Sequence, residues 1–186
     1  MLLIIGQVTA GIAQETDFCR KGLIRTHLTL SPSKMFSDGS SNFYFHGSLE
    51  GFLTSRLSLS GESYYYLGSL SSAQPKFDEN HNTFFGANFH WVKNRNDLFL
   101  GLHPGFSYTR INADAYQLSQ SSLGINPAFS LAGGYNFYLH RFFHFFIHSR
   151  LVLANHNHDV PSNLAELRFS AGLGFNIYSL RKDRNP

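Results

Sequence analysis

The stretch Glu166-Leu167-Arg168-Phe169-Ser170-Ala171-Gly172-Leu173-Gly174-Phe175-Asn176-Ile177 alternates without a break. Leu167, Phe169, Ala171, Leu173, Phe175 and Ile177 fall on one side of an extended chain. Glu166, Arg168, Ser170, Gly172, Gly174 and Asn176 fall on the other. Side chains of a strand point to opposite faces with period two, so this segment reads as a strand with one apolar and one polar face.

The same period recurs upstream. Strands are predicted over 23–32, 42–53, 57–66, 83–92, 98–110, 125–139 and 142–154, with the quoted stretch inside an eighth over 165–179. No helical pattern intervenes, and eight strands in succession favour a closed barrel over a sandwich. The connections 54–56, 93–97 and 140–141 are short, whereas 33–41, 67–82, 111–124 and 155–164 are long. Long and short alternate strictly, as in transmembrane barrels with long extracellular loops, short periplasmic turns and both termini periplasmic.

Composition agrees. Among 186 residues there are 19 Phe, 9 Tyr and 16 Gly, and only 15% are charged; aromatics suit a pleated, half-buried surface. The net charge of +3 and the lack of a Lys/Arg-rich run give no sign of a nucleic-acid partner. No run of 18 apolar residues offers a transmembrane helix. Cys19 is the only cysteine, which excludes a disulfide-stapled domain, and the preceding Thr16-Asp17-Phe18 does not look like a lipidation signal. Residues 1–13 read as a secretory signal lacking the usual positive start, 14–22 as a periplasmic segment, 23–180 as the barrel and 181–186 as a periplasmic tail.

Charge placement decides which face meets lipid. Hydrocarbon penalises Lys or Arg at the midplane by roughly 2–4 kcal/mol. Arg25, Glu50, Glu62, Arg150, Glu166 and Arg168 all fall on the polar face; Arg110 is the exception, at the extracellular end, where it can reach headgroups. The apolar face therefore points outward. It carries two aromatic girdles, Trp91, Tyr135, Phe137, Phe143 and Phe175 toward the periplasm and Phe43, Tyr65 and Tyr108 toward the exterior. A soluble lipocalin-like barrel would have the opposite polarity, and this outer face would make it aggregate.

The mature chain resembles the small eight-stranded outer-membrane barrels of the OmpA and OmpX type in strand count, loop alternation and placement of the termini. Its last strand is similar to the signal that the barrel assembly machinery reads, with Ser170, Gly172, Phe175 and Ile177 at the matching places; it departs in continuing past the final aromatic. The resemblance implies an all-β, eight-stranded antiparallel up-and-down transmembrane β-barrel in the outer membrane of a Gram-negative bacterium. Its partners would be outer-membrane lipids, lipopolysaccharide and the assembly machinery.

Three places could carry chemistry. The polar face gathers Arg25, Arg150 and Arg168, Glu50, Glu62 and Glu166, and six histidines: His27, His46, His90, His103, His144 and His148. An eight-stranded barrel is just wide enough for its side chains to fill, so this set reads as a balanced ionic plug rather than a pore, and its histidines could make it pH-sensitive. Second, Asn155-His156-Asn157-His158-Asp159, with Asp78, Glu79 and His81, offers metal-ligand types without ligand spacing, and a solvated polar loop is the expectation. Third, some barrels of this size modify lipid A. The deacylase type needs an outward His and a Ser two apart with a Glu nearby, yet no predicted strand turns a His outward, and His148 and Ser149 face opposite sides. The palmitoyl-transfer type uses rim groups such as His156, His158, Asp159 and Ser162, whose spacing here is unspecific. The expectation is a non-enzymatic barrel without cofactor or metal, serving membrane integrity or surface interaction. Phe36, Pro75, Lys76, Phe77, Tyr116 and His156 lead among its loop residues.

Overall fold

A computed structural model describes residues 18–70 and 75–179. The predicted signal at 1–13, residues 14–17 of the segment 14–22, residue 180 and the tail 181–186 lie outside the described residues. Seven long strands run β1 Leu23–Met35, β2 Ser41–Phe52, β3 Leu57–Ser69, β4 Phe77–Lys93, β5 Asn96–Ile111, β6 Gly124–His140 and β7 Phe143–His156. A two-residue β8, Ser162–Asn163, precedes the last long strand, β9 Glu166–Tyr178. The one helical element described is a single 3-10 turn, Asp114–Tyr116.

Each long strand pairs antiparallel with the next, and β9 closes the cylinder by pairing with both β7 and β1. Ile24 lies opposite Ile177, and Phe145 opposite Leu173. This is an eight-stranded up-and-down barrel, with β8 a small flap on the upper edge of β7. Closure gives every wall strand two neighbours and so leaves no edge, which is the condition for backbone in hydrocarbon.

The faces sort as the alternation requires. Leu28 is 67% exposed and Ile147 59%, whereas Arg168, His46 and His90 are fully buried. The protein is therefore apolar outside and polar within.

Strand ends depart from the sequence reading at one end only. The turn end, with the three short connections, lies close to its expected place. At the loop end the wall extends farther: β1 reaches Met35, β4 begins at Phe77, and β7 runs to His156. About nine to eleven tilted residues cross a hydrocarbon core, whereas β4 and β6 have 17 each, so the wall projects beyond it. There the outward residues are Glu79, His81 and Arg110 and the inward ones are Phe77 and Ile111. The pattern inverts, which is why the extension does not look like the strand it continues.

Candidate functional site: the sealed interior and the loop end

All twelve residues assigned to the polar network lie on the inner face, eleven of them buried or nearly so and Glu62 with a side chain 11% exposed. They form three layers. In the layer nearest the turn end, Arg25 is the hub. Its Nε and Nη2 donate to Glu50 Oε2 at 2.8 and 2.5 Å, and its Nη1 donates to Asp97 Oδ2 at 2.6 Å and the Tyr138 hydroxyl at 3.0 Å. Glu50 Oε1 also accepts from Asn88 at 2.7 Å and from the Ser58 hydroxyl. His90 sits between the acids, Nδ1 2.9 Å from Asp97 Oδ1 and Nε2 3.1 Å from Glu50 Oε1. The Ser58 hydroxyl also lies 2.9 Å from His90 Nε2.

Asp97 is the member that sequence reasoning missed. It was expected in a turn, but β5 begins at Asn96 and points Asp97 inward with zero exposure. With it the interior holds four carboxylates, Glu50, Glu62, Asp97 and Glu166, against Arg25, Arg150, Arg168 and the bridging His90.

The middle layer is aromatic. His27 stacks on Phe146 with centroids 4.1 Å apart, with His46 at 4.9 Å and His148 at 5.3 Å. Phe99 packs on His148. In the upper layer Glu62 is held by Arg150 and by His46 Nε2 at 3.1 Å. Arg150 also donates to Ser130 Oγ at 2.5 Å and the Tyr64 hydroxyl at 3.2 Å. Arg168 pairs with Glu166 and lies over the rings of Tyr44 and Tyr64, 4.0 and 4.5 Å from their centroids. Glu166 accepts further bonds from Ser33 at 2.6 Å and Tyr44 at 3.0 Å.

Both mouths are closed by apolar groups. At the loop end Met35, Tyr66, Phe77, Ile111 and Leu164 form a cluster above the ions. At the turn end residues 18–22, part of the segment 14–22 expected to be periplasmic, cover the mouth, with Phe18 and Cys19 buried in it. Phe18 stacks on Tyr138 at 5.0 Å, and the buried Cys19 Sγ lies 2.9 Å from the Tyr138 hydroxyl. A void of about 10 Å³ remains among Glu62, Tyr64, Phe99, His148, Arg150 and Arg168, the room of one water at most.

The eight girdle residues all project outward. Phe143 and Phe175 meet at 5.3 Å, Tyr65 stacks on His81 at 4.3 Å, and the Tyr135 hydroxyl donates to Asn96 at 2.5 Å. In the proposed assembly signal, Phe175 and Ile177 face outward and Ser170 and Gly172 inward. Ser170 bonds His46 Nδ1 at 3.0 Å, and Gly172 leaves room for the Phe146 ring.

The loop end departs from the sequence reading in several places. Phe77 and His156, expected to be exposed in loops, are buried in strands, Phe77 in the apolar closure and His156 with Nδ1 2.7 Å from Thr109 Oγ1. Tyr116 leans on the same closure, and Phe36 stays open at 60% exposure. The suggested metal ligands do not converge: Asp159 accepts from the Ser122 amide at 2.7 Å, His81 stands on β4, and no group of three potential ligands occurs among the described residues. A histidine does face outward. His81 projects from the wall with Glu79 at 3.9 Å and Thr83 two residues on, beside Ser63 of β3. Its Nδ1, however, accepts the Tyr66 amide at 3.0 Å, leaving Nε2 protonated toward Glu79. With its only lone pair engaged, the ring has none left to take a proton from Ser63 or Thr83. Arg110, rather than reaching freely to headgroups, pairs with Glu79 at 3.1 Å.

No protein-family model and no curated protein matches the chain. Solved structures do. The outer membrane protein OprG of Pseudomonas aeruginosa superposes with a TM-score of 0.65 at 9% identity, over 86% of this chain and 98% of that one. Neisserial surface protein A gives 0.60 at 10% identity, over 82% and 95%. Ail, the attachment invasion locus protein of Yersinia pestis, gives 0.58 at 13% identity, over 84% and 99%. At such identities the likeness is one of architecture: the chain has the fold of the small eight-stranded outer-membrane barrels.

Proposed function

We propose that this protein is a non-conducting barrel of a Gram-negative outer membrane that contributes to envelope integrity and presents its loop end for surface contact. The observation that carries this reading is the inversion of polarity: a mostly apolar exterior around an ion-paired interior closed at both mouths. An apolar wall of this extent is stable only against hydrocarbon. Among the described residues the interior is packed around a void of about 10 Å³, which speaks against the ligand cavity of a soluble lipocalin-like barrel and against a path for ions. Catalysis on lipid lacks a poised base, because His81 is engaged by the backbone. Surface contact is supported by the fold shared with Ail, whose name describes attachment, and by the exposed Phe36 and Leu70 among the loops.

The test is fractionation of cells expressing the chain, with outer membranes run unheated and heated on a denaturing gel, and the purified protein placed in planar bilayers. Outer-membrane enrichment, a heat-dependent mobility shift and no steady conductance are expected. A soluble protein without a shift, or stable ion currents, would overturn the reading.

A further inference from the structure

Charge is divided unequally between the two ends of the barrel. At the turn end Arg20, Lys21, Arg56, Lys93, Arg95 and Arg141 stand on the rim, one or two from each turn and from the chain entry. All are exposed except the half-buried Arg20. No described carboxylate pairs with any of them, and the nearest acid in sequence, Asp97, is buried in the interior. The undescribed flanks add Glu15, Asp17 and Asp183 against Arg181, Lys182 and Arg184, which cancel in formal charge. The loop end is different. Lys76 pairs with Asp38 and Arg110 with Glu79, and Asp78, Asp114 and Asp159 outnumber the remaining Lys34.

The rim is held in place by the wall. The carbonyl of Arg56 accepts the His90 amide at 2.8 Å, and that of Arg95 accepts the Tyr138 amide at 2.8 Å. Arg141 lies over the Phe142 ring at 4.4 Å and Arg20 over Tyr178 at 4.8 Å. Two of the six cations thus lie against aromatic rings at the turn end, and aromatic side chains at the ends of a membrane barrel meet lipid headgroups.

We infer that this cationic rim, without a carboxylate partner among the described residues, binds the phosphates of anionic phospholipids in the leaflet that surrounds the turn end. A ring of six cations interleaved with interfacial aromatics matches a circle of headgroup phosphates around the barrel, and Arg and Lys both bind phosphate. The inference rests on the membrane reading above.

The test uses the purified full chain in detergent micelles doped with equal amounts of phosphatidylglycerol and phosphatidylethanolamine, with co-purifying lipid counted by native mass spectrometry. The wild type is expected to retain phosphatidylglycerol preferentially, and raised ionic strength should erase the preference. The variant R56Q/K93Q/R95Q/R141Q should keep its heat-dependent gel shift and lose the preference, by about five-fold per cation removed. Equal retention of the two lipids by a heat-shifting wild type, or a preference that survives the four substitutions or high salt, would overturn the inference. A wild type without a heat shift would instead overturn the membrane reading beneath it.

Discussion

Replacing Arg25 by Met should be among the most damaging single changes in the interior. Arg25 contacts Glu50 with two nitrogens and Asp97 with a third, and its guanidinium is nearly wholly buried, with the side chain 4% exposed. Met fills a similar volume but leaves two buried carboxylates with only the His90 ring between them. Removing one partner of a buried ion pair costs about 3–5 kcal/mol, most of it the penalty of the charge left behind. The assay is urea unfolding in phospholipid vesicles, followed by emission of Trp91. It is the only tryptophan, and it lies outward at the same end of the barrel, so unfolding moves it from lipid to water. The cost should come from stranded charge and not from lost packing of the guanidinium on Phe52, 4.9 Å from its ring. R25M/E50Q/D97N should therefore recover more than half of the loss, as neutral isosteres of a buried cluster often do. A loss below about 1 kcal/mol for R25M, or a triple variant no better than the single one, would refute the argument, since the 3–5 kcal/mol expected is the cost of unpaired buried charge.

Other outcomes follow from close contacts. Gly86→Ala would set a Cβ 2.1 Å from the Leu102 carbonyl oxygen and 2.3 Å from His103, whereas Gly51→Ala meets nothing within 4 Å; the first should lose the heat-shifted band and the second keep it. Cys19 has no exposed surface, so a maleimide mass tag should add to it only after unfolding, and rapid labelling of the folded barrel would mean that residues 18–22 do not close the mouth. The amide and hydroxyl of Ser122 hold the Asp159 carboxyl below its ordinary value. A depressed value means that the contact stabilises the loop above the ordinary carboxylate range and is lost as pH falls through the lowered one. Amide exchange of Ser122 should thus accelerate on strong acidification, while D159N, unable to titrate, should show the faster exchange already at neutral pH with little further change.

The barrel wall was legible because alternation is a direct image of it: β9, from Glu166 to Tyr178, differs from the sequence reading by one residue at each end. What the alternation does not encode is which large inward groups are apolar. Tyr44, Phe84, Phe99, Tyr138 and Phe146 are all lumenal, yet in the sequence they interrupt the polar face or sit beside outward aromatics without distinction. Asp97 was hidden by its neighbours: Asn94-Arg95-Asn96 is a turn signal, and Asn94 does adopt a left-handed φ of 55°, so the acid after it read as part of the turn. At the loop end the reading failed because it assumes one polarity per face. Beyond the hydrocarbon, water wets the outer face, so Asp78, Glu79 and His81 occur on a strand whose inner side now carries Phe77.

Alternation also leaves the register open, since a slip of one residue swaps the faces but a slip of two preserves them. Here the inward glycines supply part of the missing information. Gly134 lies opposite His148, Gly172 opposite Phe146, Gly174 opposite His144 and Gly105 opposite Phe84. In each case the ring lies over the glycine, and a Cβ on Gly134 would come within 2.4 Å of the His148 ring. Slipping β7 by two residues against β6 would set His148 against Ala132 or Asn136, where a side chain already stands. An interior this narrow can hold seven buried or half-buried histidines and three arginines only if large groups meet absent ones across neighbouring strands. Gly174, where a Cβ would come within 2.3 Å of the His144 ring, therefore has a reason of volume to be glycine, whereas at Gly172, a place in the proposed assembly signal, a Cβ would meet the Phe146 ring only at 3.3 Å.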